Sequence, residues 1–228
     1  MIENPPLLTI HRGWRRPDHA LVARFRGAQT ANLVDAMEGR GAVDWRIKPL
    51  DPASAAFVGP ALTAYAYPAD IAAMFGAIAE AESGDVIMLA CDGFTGTAVI
   101  GDQAAGMMRN KGVTAFVTDG LARDRAGIVA TGLPVFCAGI TPNSPATNGP
   151  GAVGGPIMLG GVHVCSGDVV VGDADGVVVV PADRLVGVLM ALERVRAAEV
   201  ESERQVKAGL TLPENVRAMV AAARIVQR

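Results

Sequence analysis

The chain has 228 residues, of which 50% are hydrophobic and 19% are charged, and its formal net charge is −3. This composition is typical of a globular protein and excludes a disordered chain, and the acidic balance argues against nucleic-acid binding, which needs clustered basic residues. We expect a single domain over residues 1–228, with a core at about 30–182 and a helical extension at about 182–228.

Periodic apolar patterns alternate between helix and strand along the chain, which predicts an α/β fold with an N-terminal helix and projecting C-terminal helices. The predicted helices cover residues 17–37, 71–81, about 102–110, 125–131, 181 to about 208, and 212–225. The predicted strands cover residues 57–67, 85–91, 113–118, 135–140, 162–165, 169–171 and 177–180. Residues 141–161, rich in Gly, Pro and Asn, are predicted as a loop with short strand fragments.

The long C-terminal helix changes character along its length. Residues 185–192 are strongly apolar, whereas residues 193–207 are mostly charged with few apolar positions. A helix that is polar nearly all round either spans solvent or contacts a neighbour. We favour a subunit contact, and therefore a homo-oligomer. The arginines near the N-terminus, Arg12, Arg15 and Arg16, are interpreted as a solvated arm or a subunit contact.

The cysteines and the N-terminal sequence favour the cytoplasm. Cys91, Cys137 and Cys165 follow no metal-ligand spacing and lie in or beside apolar runs, so we interpret them as small buried residues. Their odd number and the lack of a basic and apolar leader predict a reducing compartment. No apolar run in the sequence approaches the roughly 18 residues of a membrane span. We expect a soluble, cytoplasmic protein without a membrane partner.

The segment Gly101-Asp102-Gln103-Ala104 begins a predicted helix, and Arg123-Asp124 follows a predicted strand. Amide groups at a helix start bind an anion such as a carboxylate. An aspartate can hold a hard cation, and an arginine can stabilise a developing oxyanion. These groups are what an enzyme needs to handle a small 2-oxo acid through its enolate.

Each of these residues also has an ordinary structural interpretation. Asp124 can cap the helix that begins at residue 125, and Asp102 can cap its own helix. Arg123 can form a surface ion pair, and Asp92 and Asp119, each followed by Gly, can supply turn chemistry. Local sequence leaves these alternatives open.

The remaining residue types restrict the chemistry. The three histidines share no ligand spacing, so any metal should be Mg²⁺ or Mn²⁺ on carboxylates and water. Lys48, Lys111 and Lys207 lack the apolar setting that a Schiff-base lysine needs. The sequence contains no P-loop, no dinucleotide-binding Gly-rich motif and no nucleophile elbow. An enzyme that makes or breaks carbon–carbon bonds should therefore use a metal here.

Two sets of motifs resemble those of the class II 4-hydroxy-4-methyl-2-oxoglutarate aldolases, a family that includes the regulator of ribonuclease E activity A. The first set is Gly101, Lys111-Gly112-Val113, Thr118-Asp119-Gly120, Arg123-Asp124 and Gly132-Leu133-Pro134-Val135. The second set is Gly167-Asp168, Asp173, Asp175-Gly176-Val177 and Pro181. The resemblance covers roughly residues 30–209. It departs at Gln103-Ala104-Ala105, where many relatives have apolar residues, and at Cys165-Ser166, where Pro is common before the glycine.

The resemblance implies a β/β/α swivelling-type domain that assembles as a trimer or a dimer of trimers, with active sites between subunits. It implies that the metal is held by Asp124, largely through water, and that Arg123 contacts the keto oxygen of pyruvate. The amides of Gln103 and Ala104 would hold the carboxylate, and Asp102 would lie near the water that protonates the enolate.

The resemblance further implies that Glu199, from the terminal helix of a neighbouring subunit, completes the metal surroundings. The function that it implies is divalent-metal-dependent aldol cleavage of 4-hydroxy-4-methyl-2-oxoglutarate or a related 4-hydroxy-2-oxo acid, with oxaloacetate decarboxylase activity. The alternatives are a non-catalytic protein that binds and regulates a ribonuclease, and an enzyme acting on another 2-oxo or hydroxy acid.

Overall fold

A computed structural model describes residues 5–226 of the chain. The described helices are α1 His19–Ala23, α2 Thr30–Ala36, α3 Ala72–Glu80, α4 Asp102–Asn110, α5 Arg125–Thr131, α6 Leu185–Lys207 and α7 Glu214–Ala221. The described strands are β1 Thr9–Ile10, β2 Lys48–Pro49, β3 Phe57–Ala66, β4 Val86–Ala90, β5 Ala98–Ile100, β6 Ala115–Thr118, β7 Leu121–Ala122, β8 Val135–Cys137, β9 Gly139–Ile140, β10 Gly151–Val153, β11 Ile157–Leu159, β12 Val162–Val164, β13 Val169–Asp173 and β14 Gly176–Val180. The prediction of a mixed α/β fold is confirmed.

The main sheet is built around four parallel strands in the order β3, β4, β6, β8. Every residue of β4 is buried, as expected for a central parallel strand that is covered on both faces. The helices α3, α4 and α5 lie on the chain segments that connect these strands. The first half of β3 pairs with β13, which pairs with β14, and its last residues pair with β10.

A smaller parallel sheet, in the order β5, β7, β9, positions the candidate site. The three strands point the same way, so their carboxyl ends meet at one edge. Gly101 directly follows β5, Arg123 follows β7, and Thr141 follows β9. Three segments that are distant in the sequence are thereby brought to the same edge.

Three apolar clusters hold the layers together. One packs the helices α3, α4 and α5 onto the main sheet and includes Met74, Met108 and Ile128. A second covers the other face, where the rings of Phe57 and Phe136 meet edge to face with centroids 5.4 Å apart. The third packs α1, α2 and the start of α6 against β13 and β14.

Two of the predicted elements are each divided in the structure. The predicted helix over residues 17–37 is two helices, because the chain turns at Gly27, whose φ is +69°, before α2 begins at Thr30. The predicted strand over residues 135–140 is divided between the two sheets. The break lies at Ala138, whose amide donates to the carbonyl of Gly120 (2.9 Å), so β8 joins the main sheet and β9 the smaller one.

The two halves of the C-terminal helix differ as predicted. Leu185, Val188, Leu189 and Leu192 are buried, whereas residues 199–207 are exposed. Within residues 5–226, no helix combines the length and apolar character needed to cross a bilayer.

Two of the three N-terminal arginines pair with carboxylates of their own chain, so this segment is not a free arm. Arg12 pairs with Glu80 at 2.9 Å, and Arg16 forms two bonds to the fully buried carboxylate of Asp85 at 2.9 and 2.7 Å. The pairing fixes the N-terminal segment at Arg16, because the buried Asp85 carboxylate without a charged partner would destabilise the fold.

Candidate active site

The segments that follow β5 and β7 enclose a cavity of about 390 Å³. Six residues singled out in the sequence line it: Gly101, Asp102, Gln103, Ala104, Arg123 and Asp124. Glu199 does not line this cavity. It lies on α6, which packs against α2, and its carboxylate accepts a 2.6 Å hydrogen bond from the side-chain amide of Asn32. One chain therefore brings together six of the seven predicted site residues.

The start of α4 forms one wall of the cavity. Gly101 is the N-terminal cap residue in extended conformation, and its carbonyl accepts from the amide of Ala105 at 3.1 Å. The amides before Ala105 have no backbone acceptor within the helix, and such amides suit an anion. Asp102 Oδ1 accepts from the amide of Gln103 at 2.7 Å, so Asp102 caps its own helix while lining the cavity.

Asp124 adopts an unusual backbone conformation beside Arg123. Its φ of 55° and ψ of 41° place it in the left-handed region, which is uncommon for a residue other than glycine and is often found at functional sites. Asp124 occupies the cap position of α5, but its side chain makes no capping hydrogen bond. Its carboxylate instead lies 3.2 Å from Arg123 Nε, with both side chains partly exposed.

Two glycines leave space where these segments approach one another. A Cβ at Gly101 would lie 2.8 Å from Asp124 Oδ2 and 3.2 Å from Arg123 Nε. A Cβ at Gly127 of α5 would lie 2.6 Å from the Cβ of Asp102. The two glycines therefore allow α4 and the Arg123-Asp124 turn to pack closely enough to share one cavity.

The segment after β9 contributes a residue that the sequence analysis missed. Ser144 Oγ accepts a hydrogen bond from Arg123 Nη1 at 2.5 Å. The following loop is fastened by the buried Asp70, which accepts from the amides of Asn148 at 2.5 Å and Gly149 at 2.9 Å. Ser144 follows β9, the third strand of the smaller sheet, and this position is the only sequence signal for it. That signal could be recognised only once β9 was known.

Ser144 holds the Arg123 guanidinium, and its removal should moderately lower an activity that depends on Arg123. We expect Ser144→Ala to reduce kcat/KM about five- to tenfold for the pyruvate release that the family resemblance implies, because one hydrogen bond to a charged group is lost. Ser144→Thr, which keeps the hydroxyl, should restore most of the loss. Equal loss in both variants would show that the hydroxyl is not what matters.

Comparisons with known proteins identify the family of the chain. The sequence profile of the RraA-like family, described as Aldolase/RraA, matches residues 30–179. A protein of Halalkalibacterium halodurans named "Putative 4-hydroxy-4-methyl-2-oxoglutarate aldolase" is 36% identical over 185 residues, which cover 81% of this chain and 88% of that protein. The chain belongs to the RraA-like family.

Solved structures show the same RraA-like fold. An uncharacterised protein of Pseudomonas syringae pv. tomato is similar with a TM-score of 0.76 and 25% identity, covering 87% of this chain and 97% of that one. RraAS2 of Streptomyces coelicolor, described as an unusual member of the RNase ES inhibitor RraA protein family, has a TM-score of 0.75 and 27% identity. That alignment covers 83% of this chain and 100% of RraAS2.

In this RraA-like chain, Asp119 and Asp92 have structural roles. Asp119 accepts from the amides of Cys91 at 2.8 Å and Gly93 at 3.0 Å, and its burial raises the pKa of its carboxyl. Asp92 has a φ of 55° and accepts a 2.7 Å hydrogen bond from Tyr65, which raises the pKa of the tyrosine hydroxyl to about 12. The turn interpretation holds for both aspartates.

The thiols differ in burial, which predicts their reactivity. Cys91 and Cys137 are buried, as expected, whereas Cys165 is partly exposed. Burial, together with Asp119, raises the pKa of the Cys91 thiol to about 12, and burial raises that of Cys137. Burial also raises the pKa of the Cys165 thiol, but that side chain is only partly buried and is accessible to a reagent. A raised pKa lowers the fraction of reactive thiolate.

Iodoacetamide at pH 8 should therefore modify Cys165 about tenfold or more faster than Cys91 or Cys137, as measured by peptide mass spectrometry. In guanidinium the three rates should converge. Comparable native rates at Cys91 and Cys165 would contradict the burial of Cys91.

The carboxylates in the cavity fit a hard divalent cation. Asp124 is about half exposed, lines the cavity and is not used as a helix cap, so its oxygen atoms are accessible to a cation and its water ligands. Mg²⁺ is commonly held by one or two carboxylates and keeps several waters. Across residues 5–226, His, Cys, Asp and Glu side chains form no group of three or more that would hold a metal. The described residues of one chain therefore do not form a metal site made of protein ligands alone.

Proposed function

We propose that this chain is a divalent-metal-dependent lyase that releases pyruvate from a 4-hydroxy-2-oxo acid such as 4-hydroxy-4-methyl-2-oxoglutarate. The observation that carries the proposal is the meeting of the α4 amides, Arg123 and Asp124 in one cavity. Anion-binding amides, a guanidinium and a hard-cation ligand are the groups needed to bind a 2-oxo acid and stabilise its enolate. The similarity to a protein named as an aldolase supports the same reaction class.

In the proposed reaction, the substrate carboxylate binds the amides of Gln103 and Ala104 at the start of α4, beside Gly101, and replaces Asp102 Oδ1 as the acceptor for the Gln103 amide. The C4 hydroxyl loses its proton to a base, the C3–C4 bond breaks, and its electron pair passes into the pyruvate enolate. The Arg123 guanidinium donates to the enolate oxygen as negative charge develops there. A water held by Asp102 gives a proton to C3, which yields pyruvate. Asp124 would hold Mg²⁺ or Mn²⁺, and a metal bound there would supply Lewis-acid chemistry.

The same site would decarboxylate oxaloacetate. Loss of carbon dioxide from C4 of oxaloacetate breaks the bond between C3 and the leaving carboxylate and leaves its electron pair in the pyruvate enolate. The binding of the 2-oxo half, its stabilisation by Arg123 and the protonation at C3 are unchanged. One set of residues therefore serves both reactions.

We further propose that the chain is a swivelling-type single domain that assembles in the cytoplasm as a trimer or a dimer of trimers. In this assembly Glu199 of a neighbouring subunit completes the site. The exposed, charged second half of α6 supports a subunit contact, in which Glu199 would leave the Asn32 side chain of its own chain.

The test is pyruvate release from 4-hydroxy-4-methyl-2-oxoglutarate and from oxaloacetate, coupled to lactate dehydrogenase, with Mg²⁺ and then with excess EDTA. We expect release that requires the metal and returns when Mg²⁺ is restored. Absence of release from both substrates by the folded oligomer would overturn the proposal. It would favour the second candidate, a ribonuclease-binding regulator, which the fold of RraAS2 supports.

A further inference from the structure

Part of the cavity wall is apolar and belongs to neither the α4 start nor the Arg123-Asp124 turn. Ile71, Met74 and Phe75 contribute to it from the start of α3, and Met107 contributes from α4. Met107 lies four residues after Gln103, so it is on the same helix face one turn, or about 5.4 Å, further along. A substrate whose carboxylate sits at the start of α4 would extend its other end along this surface.

Two of these side chains remain exposed although they are large and apolar. Phe75 is 41% exposed and Met107 is 45% exposed. Exposed apolar patches mark ligand or subunit contacts, and since Phe75 and Met107 line the cavity we assign them to the ligand. An uncharged alkyl group would cover them, whereas a carboxylate would not be stabilised by them.

The charged residues of the cavity also favour an uncharged alkyl group over a second carboxylate. Arg123 is the one cationic side chain among the described residues that line it, and Asp102 and Asp124 are both acidic. The proposed function assigns Arg123 to the 2-oxo half of the substrate. A second carboxylate on the substrate would leave water without gaining a cationic partner from this chain, which is unfavourable.

We propose that the preferred substrate is a 4-hydroxy-2-oxo acid that carries an uncharged alkyl group at C4, and that the second product is an aliphatic aldehyde. This inference rests on the proposed function. For an ethyl group, the C4 hydroxyl loses its proton and becomes the carbonyl of propanal as the C3–C4 bond breaks. The electron pair goes to the enolate, and protonation at C3 completes pyruvate, so that 4-hydroxy-2-oxohexanoate gives pyruvate and propanal with no other reactant.

The test compares kcat/KM for pyruvate release from 4-hydroxy-2-oxohexanoate, 4-hydroxy-2-oxopentanoate and 4-hydroxy-4-methyl-2-oxoglutarate at one Mg²⁺ concentration. We expect the ethyl substrate to exceed the methyl substrate about fourfold, the effect of burying one methylene. The dicarboxylate should be slower than the ethyl substrate by about tenfold or more. A dicarboxylate that is cleaved equally well or better would overturn this inference while upholding the proposed function. No pyruvate from any of the three would overturn both.

Substitutions at the apolar wall test the same inference on the protein side. Met107→Arg should raise the preference for the dicarboxylate over the ethyl substrate about tenfold or more, because it supplies the missing cation. Phe75→Arg should act in the same direction and replaces Met107→Arg if that variant does not fold. The matched control is Val129→Arg on α5, which is 39% exposed and does not line the cavity, and which should leave the preference unchanged. A wild-type preference in a folded Met107→Arg or Phe75→Arg variant would overturn the inference.

Discussion

We expect Arg123→Ala to lower kcat for pyruvate release by about 10²–10³-fold, the range observed when one group that stabilises an oxyanion is removed. Arg123 lies at the carboxyl end of β7 and lines the cavity. Its Nη1 is held by Ser144, and its Nε lies 3.2 Å from Asp124. The guanidinium is therefore positioned before substrate binds, so little reorganisation is required as charge develops.

Arg125→Ala is the matched control for this experiment. Arg125 lies two residues further along and does not line the cavity, and it donates to the carbonyl of Leu50 at 2.8 Å. We expect Arg125→Ala to keep kcat within about threefold of the native value, since effects on exposed positions are usually small. Near-native turnover in folded Arg123→Ala would contradict the assigned role of Arg123.

Asp124→Asn should abolish most of the metal-dependent activity, with kcat/KM at a fixed Mg²⁺ concentration falling by at least about 100-fold. The substitution removes the negative charge that the cation requires and keeps the size of the side chain. Asparagine tolerates the left-handed backbone that Asp124 adopts, whereas alanine would be strained there. A loss of activity in Asp124→Asn therefore reports the carboxylate and not the backbone.

Asp92→Asn provides the control for Asp124→Asn. Asp92 has the same φ of 55° and also carries a carboxylate, but it bonds to Tyr65 and does not line the cavity. We expect Asp92→Asn to retain native activity and native Mn²⁺ binding, measured by titration calorimetry. Equal Mn²⁺ affinity in wild type and Asp124→Asn would exclude Asp124 as the ligand.

Long patterned elements of this fold could be predicted from the sequence. The buried run of β4 and the helix that begins at Asp102 and ends before Gly112 have the apolar content and end signals on which such predictions depend. Much of the site follows from the same local signals, because Gly101-Asp102 and Arg123-Asp124 are each adjacent to a predicted element. Their meeting in one cavity follows from the parallel order of the strands.

The remaining features depend on tertiary contacts that no local pattern records. The strands β5, β7 and β9 have two or three residues each, too few for a periodic signal, yet together they determine the edge at which the site forms. The left-handed conformation of Asp124 and the bond from Arg123 to Ser144 depend on how these strands align. The break near Gly27 was missed because the apolar spacing continues across it.

The most direct measurement is exchange of the methyl protons of pyruvate with D₂O, followed by proton NMR. It tests enolate formation in the Arg123-Asp124 cavity and is independent of the group that a substrate carries at C4. We predict exchange that requires Mg²⁺ or Mn²⁺, stops with excess EDTA and falls about 100-fold or more in Arg123→Ala. Exchange no faster than in buffer containing the metal alone would contradict the account, because a site that stabilises the pyruvate enolate must also form it from pyruvate.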